Sequence, residues 1–329
     1  MSKRLALFLF VALGFPAAEA LGRGSLFYFE AQAVGGYSGA RDRIIFYSMD
    51  QSEVMQKPSL GFDYVQRFSA AGGDFAVLAL QGRLALNASG VRTLEPQLYN
   101  AYFKFKLPPA DLWAGHNRPA LGLSSVFDTH SHLLPSLAMH GYGFDRDWGV
   151  GLSRDFAQGN WAASLTAGSG MPLRLGKSYL LSGRVGMGIL SRSNSSLGLS
   201  AAYGKTLETI GYEVISADPM PLRLIGADFS HLWNNLENRL ELMAGQKRGE
   251  NTLALFWRLG VNLLQEERLK LEVQPIYLKQ SGEARLNFSM GMSFLATADL
   301  TLRAMVATDA EMKDSRLVIQ VYYYKRIIF

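Results

Sequence analysis

The stretch Arg316–Phe329, RLVIQVYYYKRIIF, keeps a period-two pattern up to the last residue of the chain. One face holds Leu317, Ile319, Val321, Tyr323, Lys325, Ile327 and Phe329. The other holds Arg316, Val318, Gln320, Tyr322, Tyr324, Arg326 and Ile328. A nearly all-apolar face opposite a mixed one is the mark of a half-covered strand. A strand running to Phe329 needs a partner along its whole length, and the upstream sequence indicates which.

Similar alternation recurs between turn signals. It predicts strands at Ser25–Val34, Ser59–Phe68, Phe75–Leu86, Gln97–Lys106, Asp111–Arg118, Trp148–Phe156, Asn160–Gly168 and Tyr179–Leu190. It continues through Leu197–Gly204, Arg223–His231, Leu236–Gly245, Thr252–Leu263, Leu269–Leu278, Ala284–Leu295 and Leu300–Ala307. With the terminal strand the pattern gives about sixteen strands. Connections alternate in length: 35–58, 119–147 and 205–220 are long, whereas 69–74, 107–110 and 157–159 are short. Late in the chain this alternation weakens.

An even number of strands, with tight turns at one end and longer loops at the other, is the plan of a transmembrane barrel. A soluble β-sandwich accounts for any single strand equally well, because it also buries one face. It does not account for strands of about ten to twelve residues, the length that crosses a bilayer at a tilt. Aromatic residues near strand ends suit interfacial girdles: Tyr64, Phe68, Trp113, Trp148, Phe156, Trp161, Tyr203, Trp233, Tyr277, Phe294 and Tyr323. The expected fold is therefore all-β, an antiparallel barrel closed by pairing the terminal strand with Ser25–Val34. In lipid every backbone N–H and C=O must find a partner, so the sheet has no free edge.

The N-terminus sets the compartment. Lys3 and Arg4 precede the apolar run Leu5–Gly14, and Ala18 and Ala20 suit a small-residue cleavage site. Residues 1–20 are expected to be a secretory signal, too short for a membrane anchor, followed by a single barrel domain over 21–329. Formal net charge is +5, and cleavage takes away two cations and one anion to leave +4. That bias is too small to argue for nucleic acid. The chain has no cysteine, which excludes a disulfide framework, thiolate metal sites and haem attached through Cys-x-x-Cys-His. No cofactor is implied.

The C-terminal residues Val321, Tyr323, Ile327 and Phe329 resemble the last strand of bacterial outer-membrane proteins, which ends in Phe after alternating apolar positions. That resemblance implies outer-membrane lipid as the surroundings and recognition of Phe329 by the barrel-assembly machinery; Lys325 departs from the pattern. A barrel of about sixteen strands leaves an aqueous channel. No plug segment separates the signal from the first strand, so passive diffusion of small hydrophilic solutes is the expected function. Porins of this width are often trimers, so a homotrimer is one possibility.

The inward register collects Arg67, Arg83, Lys104, Lys106, Arg184, Arg239, Arg258 and Arg285 as candidate pore-lining residues, with Lys270, Arg303 and Arg326. Glu30, Asp63, Asp155, Asp228, Glu237, Glu241 and Glu272 oppose them. A small positive excess focused by low-dielectric walls implies weak anion preference. The spacing of Glu237, Arg239 and Glu241, and of Lys270 and Glu272, also allows paired charges with no net effect.

The longest connection, third on the outer side, carries Leu121, Leu123, Val126, Phe127, Leu133, Leu134, Leu137 and Met139. So apolar a loop is expected to fold against something. In position and length it resembles the third loop of sixteen-stranded porins, which folds into the lumen. More narrowly, Gly115, Arg118, Pro119, Gly122, Ser136, Leu137, Arg146, Asp147, Gly149 and Val150 resemble a pattern of the phosphate- and polyphosphate-selective porins. The loop's cations are Arg118 and Arg146, without a lysine, so the family's phosphate selectivity does not carry over.

Arg118, Asp128, His130, His132, His140 and Arg146 are the candidate constriction residues. The segment DTHSH, 128–132, has alternating ligand-type side chains that suit a divalent metal. Histidines lining a constriction and titrating near pH 6.5 are the plainer expectation. Ser124, Ser125, Ser131 and Ser136 lie near histidines in a way that leaves a hydrolase open, but no Gly-x-Ser-x-Gly elbow is present. An adhesin or receptor role through the outer loops is the other alternative.

Overall fold

The computed structural model describes residues 24–45, 56–87, 94–128, 132–309 and 314–328. The expected signal at 1–20, His130 and Phe329 lie outside these residues. The strands are β1 (Ser25–Ser38), the short β2 (Arg43–Ile45), β3 (Ser59–Ala70), β4 (Gly73–Leu86), β5 (Leu94–Lys106) and β6 (Asp111–Asn117). Next come β7 (Asp147–Phe156), β8 (Gly159–Thr166), β9 (Tyr179–Met187), β10 (Ser195–Ile210), β11 (Glu213–Trp233) and β12 (Leu236–Lys247). The last are β13 (Glu250–Leu263), β14 (Leu269–Gln280), β15 (Glu283–Leu295), β16 (Leu300–Asp309) and β17 (Asp314–Ile327).

Each long strand pairs antiparallel with the next, and β1 takes both β3 and β17 as neighbours. The β1–β17 register runs from Phe27 opposite Ile327 to Ser38 opposite Arg316. Sixteen long strands thus close into a barrel, and the three residues of β2 pair with the far end of β1. Closure leaves no open edge along the seam, as a bilayer requires.

Side-chain chemistry follows the pleat. Leu197, Leu199, Leu253, Leu255, Trp257, Phe288, Met290, Ile319 and Val321 are exposed on the outer wall. The neighbours along each strand point the other way, and that inner face carries polar atoms, including those of buried Gln32, Ser164, Asp228, Gln274 and Gln320. At the end where β1 starts and β17 finishes (the near end), an aromatic band crosses neighbouring strands. Phe68 lies 6.4 Å from Phe75 and 5.6 Å from Phe103, and Phe103 lies 4.6 Å from Phe105.

Two local expectations change. Trp113 belongs to the interior: it is buried, pairs in register with inward-facing Lys104, and its indole occupies the space a side chain at Gly151 would need. The long connection over 205–220 is instead a continuous hairpin turning at Gly211 and Tyr212. Pro219 and Pro221 interrupt the sequence pattern, but β11 has β12 as a neighbour only from Leu222 onward. A strand edge tolerates proline because no donor is missed there.

Candidate functional site: the lumen and its loop

The chain between β6 and β7 runs inside the barrel. Leu121, Leu123, Leu137 and Tyr142 form one buried cluster with Leu180, Leu222, Leu224, Met243, Phe256 and Ile276 of the wall. Leu134 joins a second with Val34, Ile45, Met305 and Val318. A buried leucine is stabilised by about 1.5–3 kcal/mol relative to an exposed one, so the loop is held chiefly by these four leucines and Tyr142.

Polar bonds fix its register. Ala120 N–H donates to Ser164 Oγ at 2.9 Å, and Leu123 N–H to Glu241 Oε1 at 2.8 Å. Arg258 donates to the carbonyls of Leu134 and Pro135 at 3.2 and 3.3 Å, and Gln274 to Pro135 at 2.8 Å. Lys247 donates to the His140 carbonyl at 2.9 Å. These partners sit on β8 and β12–β14, while the two leucine clusters draw in β9–β11, β16, β17 and β1. The wall from β3 to β5 stays free of the loop's apolar clusters.

That freer wall carries Arg67, Arg83, Lys104 and Lys106. Arg83 Nη1 stands 3.7 Å from Glu30 Oε1, with its guanidinium 5.2 Å from the centre of the Tyr99 ring. Lys104 pairs with Asp111 at 2.7 Å and Lys106 with Asp74 at 3.7 Å. Arg67 is exposed on the same face, paired in register with Val77 near the near-end rim.

On the other side Arg184 grips Asp228 through two bonds of 2.8 and 2.7 Å, both residues buried. Arg239 and Arg258 lie directly opposite each other on β12 and β13. Like charges so placed repel. Phe127 of the loop sits by both, its ring centre 3.6 Å from the Arg239 guanidinium and 5.3 Å from that of Arg258. Glu237 pairs with Arg239 and also with Lys270. Arg258 uses neutral acceptors: Gln274 Oε1 at 2.5 Å and the two loop carbonyls. Arg285 is exposed at the far end, 4.0 Å from Glu283, beside a cavity of about 540 Å³ lined also by Tyr142, Lys247 and Glu208.

Of the constriction candidates, Asp128 is held between Arg118 at 2.6 Å and Arg146 at 3.3 Å. Arg146 is buried, donates to Asn100 Oδ1 at 2.8 Å and lies 4.5 Å over the Tyr99 ring. Burial works against its charge, but Tyr99, Asp145 and Asp128 outweigh it and raise its pKa. His132 packs on Phe127 with ring centres 5.3 Å apart, and its carbonyl accepts from Gln56 at 3.1 Å. Burial, then the cations Arg258, Arg303, Lys270 and Arg239, push its pKa well below the usual histidine value. His140 reaches the wall through its carbonyl, which accepts from Lys247 of β12. Among the described residues no three His, Asp or Glu side chains converge on a metal position.

Pairing thus brings together Arg118, Asp128 and Arg146 at the loop's root, and Arg239, Arg258 and His132 around its tip. Arg67, Lys104, Lys106 and Arg285 stand apart near the two mouths. Sequence reasoning missed Ser164, Gln274 and Lys247, which alternation alone would have turned inward. It also missed Tyr99, which faces inward because β5 bulges where Gln81 pairs with Asn100 and Gly82 with Leu98. No period-two pattern reveals a bulge.

No protein-family model matches the chain, and no curated protein sequence matches it. Among solved structures it is similar to in-vitro folded OmpT, an outer membrane protein of Vibrio cholerae, in its trimer form (TM-score 0.63, 10% identity, 92% of this chain and 99% of that one). It is similar to an anion-selective porin from Comamonas acidovorans (TM-score 0.62, 12% identity, 92% and 100%). It is also similar to the outer membrane channel DcaP of Acinetobacter baumannii (TM-score 0.59, 10% identity, 92% and 98%). At identities this low the likeness is one of architecture, and this chain has the closed barrel fold of outer-membrane porins.

Proposed function

We propose that this protein is a non-enzymatic outer-membrane porin, a water-filled channel for passive diffusion of small hydrophilic solutes with a weak preference for anions. The observation that carries the reading is a closed wall, apolar outside and polar inside, with one loop fastened across its lumen. A hydrated path through such a wall admits ions and small polar molecules and excludes bulky ones.

The anion preference rests on unbalanced charge. Among the described residues Arg258 and Arg303 have no carboxylate within ion-pair distance; Arg303 instead donates to Gln320 at 3.0 Å and lies 4.9 Å over the Tyr322 ring. Elsewhere most lumen cations have an acid partner, which keeps the preference weak. The resemblance of the third loop to phosphate- and polyphosphate-selective porins supports the pore architecture and not the choice of ion. Residues 21–329 form one barrel domain exported by a cleaved signal, inserted through Phe329 and the barrel-assembly machinery, and trimeric like the OmpT form above.

Planar bilayers doped with the purified protein test this. Discrete conductance steps, with a reversal potential of anionic sign in a potassium chloride gradient, are expected. Absence of steps overturns the pore; a clear cationic sign overturns the preference alone.

A further inference from the structure

The outer wall changes character at the far end of β9, β10 and β11. In register, Tyr179 lies opposite Lys205, and Tyr203 lies between Leu181 on one side and Arg223 on the other. All five point away from the lumen, because they share the pleat face of Val185, Leu199 and Ile225 on the exposed apolar wall. Tyr179, Tyr203, Lys205 and Arg223 are themselves exposed. The Arg223 guanidinium lies 5.4 Å from the centre of the Tyr203 ring. Among the described residues neither Lys205 nor Arg223 has a carboxylate within ion-pair distance.

Height along the wall decides what surrounds these groups. Arg223 and Trp233 are ten residues apart on β11 and share its outward face, where Trp233 is exposed. Ten residues span about 33 Å along a strand, which a tilt of about 40° reduces to about 25 Å of height. That is the height of the apolar band of a transmembrane barrel. With Trp233 at the near-end interface, Arg223 stands at the far-end one, and Lys205 is diagonal to it, one rung further out. An unpaired outward cation is costly at the bilayer midplane and tolerated at the interface, and tyrosine rings settle at headgroup level. The segment leading into Tyr179 adds exposed Arg174 and Lys177 beside exposed Leu173 and Leu175.

We propose that Tyr179, Tyr203, Lys205 and Arg223 form an outward-facing site for the phosphate of a lipid headgroup in the leaflet at the far end of the barrel. Diagonal neighbours on a sheet face lie about 7–8 Å apart, so the long side chains of Lys205 and Arg223 reach one phosphate group together. The guanidinium fork and the ammonium supply charged donors to its oxygens, and the tyrosine hydroxyls supply neutral ones. Leu181 and Ile225, directly below, meet the acyl chains. The outward residues of β9, of β10 as far as Lys205, and of β11 from Pro221 onward include no Asp or Glu to repel the headgroup. This inference rests on the barrel standing in a membrane and not on its conducting.

Native mass spectrometry of the protein, purified in a nonionic detergent and freed of lipid, tests it. Phosphatidic acid and diacylglycerol with the same acyl chains differ only in the phosphate, and the wild type is expected to retain the first more tightly. Lys205→Gln and Arg223→Gln should each lower the affinity for phosphatidic acid about fivefold and leave that for diacylglycerol unchanged. Arg223→Lys keeps the charge and should lose less than Arg223→Gln. Equal retention of the two lipids by the wild type, or glutamine variants that match it, overturns the site. So does a smaller oligomer in those variants with lipid retention unchanged, which gives this face to a second copy of the chain. A wild type that retains phosphatidic acid in this way but shows no conductance steps removes the pore reading and supports the lipid site.

Discussion

Gly122 of the third loop and Glu241 of β12 share a contact that only a glycine permits. A side-chain carbon at Gly122 would collide with the Glu241 carboxylate, and Gly122 has φ +54°, in the left-handed region. The next residue, Leu123, gives its N–H to that same carboxylate. One buried acid thus seats the loop on the wall at its first turn.

Gly122→Ala should unseat this turn. Backbone strain and overpacking together predict a loss of about 1–3 kcal/mol. The expected signs are a lower urea midpoint in detergent micelles and noisier open-channel current. Glu241→Gln keeps the acceptor oxygen and should disturb both far less.

Arg184 and Asp228 are a buried pair, so removing one partner leaves an uncompensated charge. Arg184→Ala or Asp228→Ala should each cost about 3–5 kcal/mol. Replacing both by leucine and methionine should cost much less. Thermal unfolding of the folded barrel distinguishes these; equal losses in single and double variants would contradict the pairing.

Selectivity should respond to a change in lumen charge and not to the loss of a neutral hydrogen-bond partner. Arg67→Glu at the near-end mouth is expected to shift the reversal potential toward cations. Gln274→Ala, which removes a neutral acceptor from Arg258, should leave its sign unchanged. A shift caused by Gln274→Ala and not by Arg67→Glu would refute this assignment.

His132 should be electrically silent near neutrality. Its pKa lies well below 6.5 because burial and four neighbouring cations disfavour the imidazolium. The ring then favours its neutral form at pH values where an ordinary histidine would take a proton, and His132 should add no step in conductance near pH 6.5. Stability behaves differently. The unfolded chain takes up a proton below about pH 6.5 that the folded one refuses, so stability falls as pH drops through that value. His132→Ala should weaken this acid-side loss, measured as unfolding temperature at pH 5 and pH 7.5.

The barrel was legible in the sequence because its cause is local. Each strand alternates between lipid and water, so Leu253, Leu255 and Trp257 against Arg258 and Gly260 give both the face and the register. Each of the sixteen long strands overlaps one that alternation places, although β10 and β11 run well past theirs, and Phe27 meets Ile327 because a wall in lipid tolerates no edge. What alternation lacks is any record of partners across the lumen. It put Arg184 and Arg258 inside, but whether a cation meets water, a carboxylate or a loop carbonyl depends on chain segments dozens of residues away. The 205–220 hairpin and the inward turn of Trp113 and Tyr99 escaped for a related reason. Bulges, missing neighbours and a glycine-sized gap change which way a side chain points without changing the sequence pattern, so only the closed tertiary structure decides them.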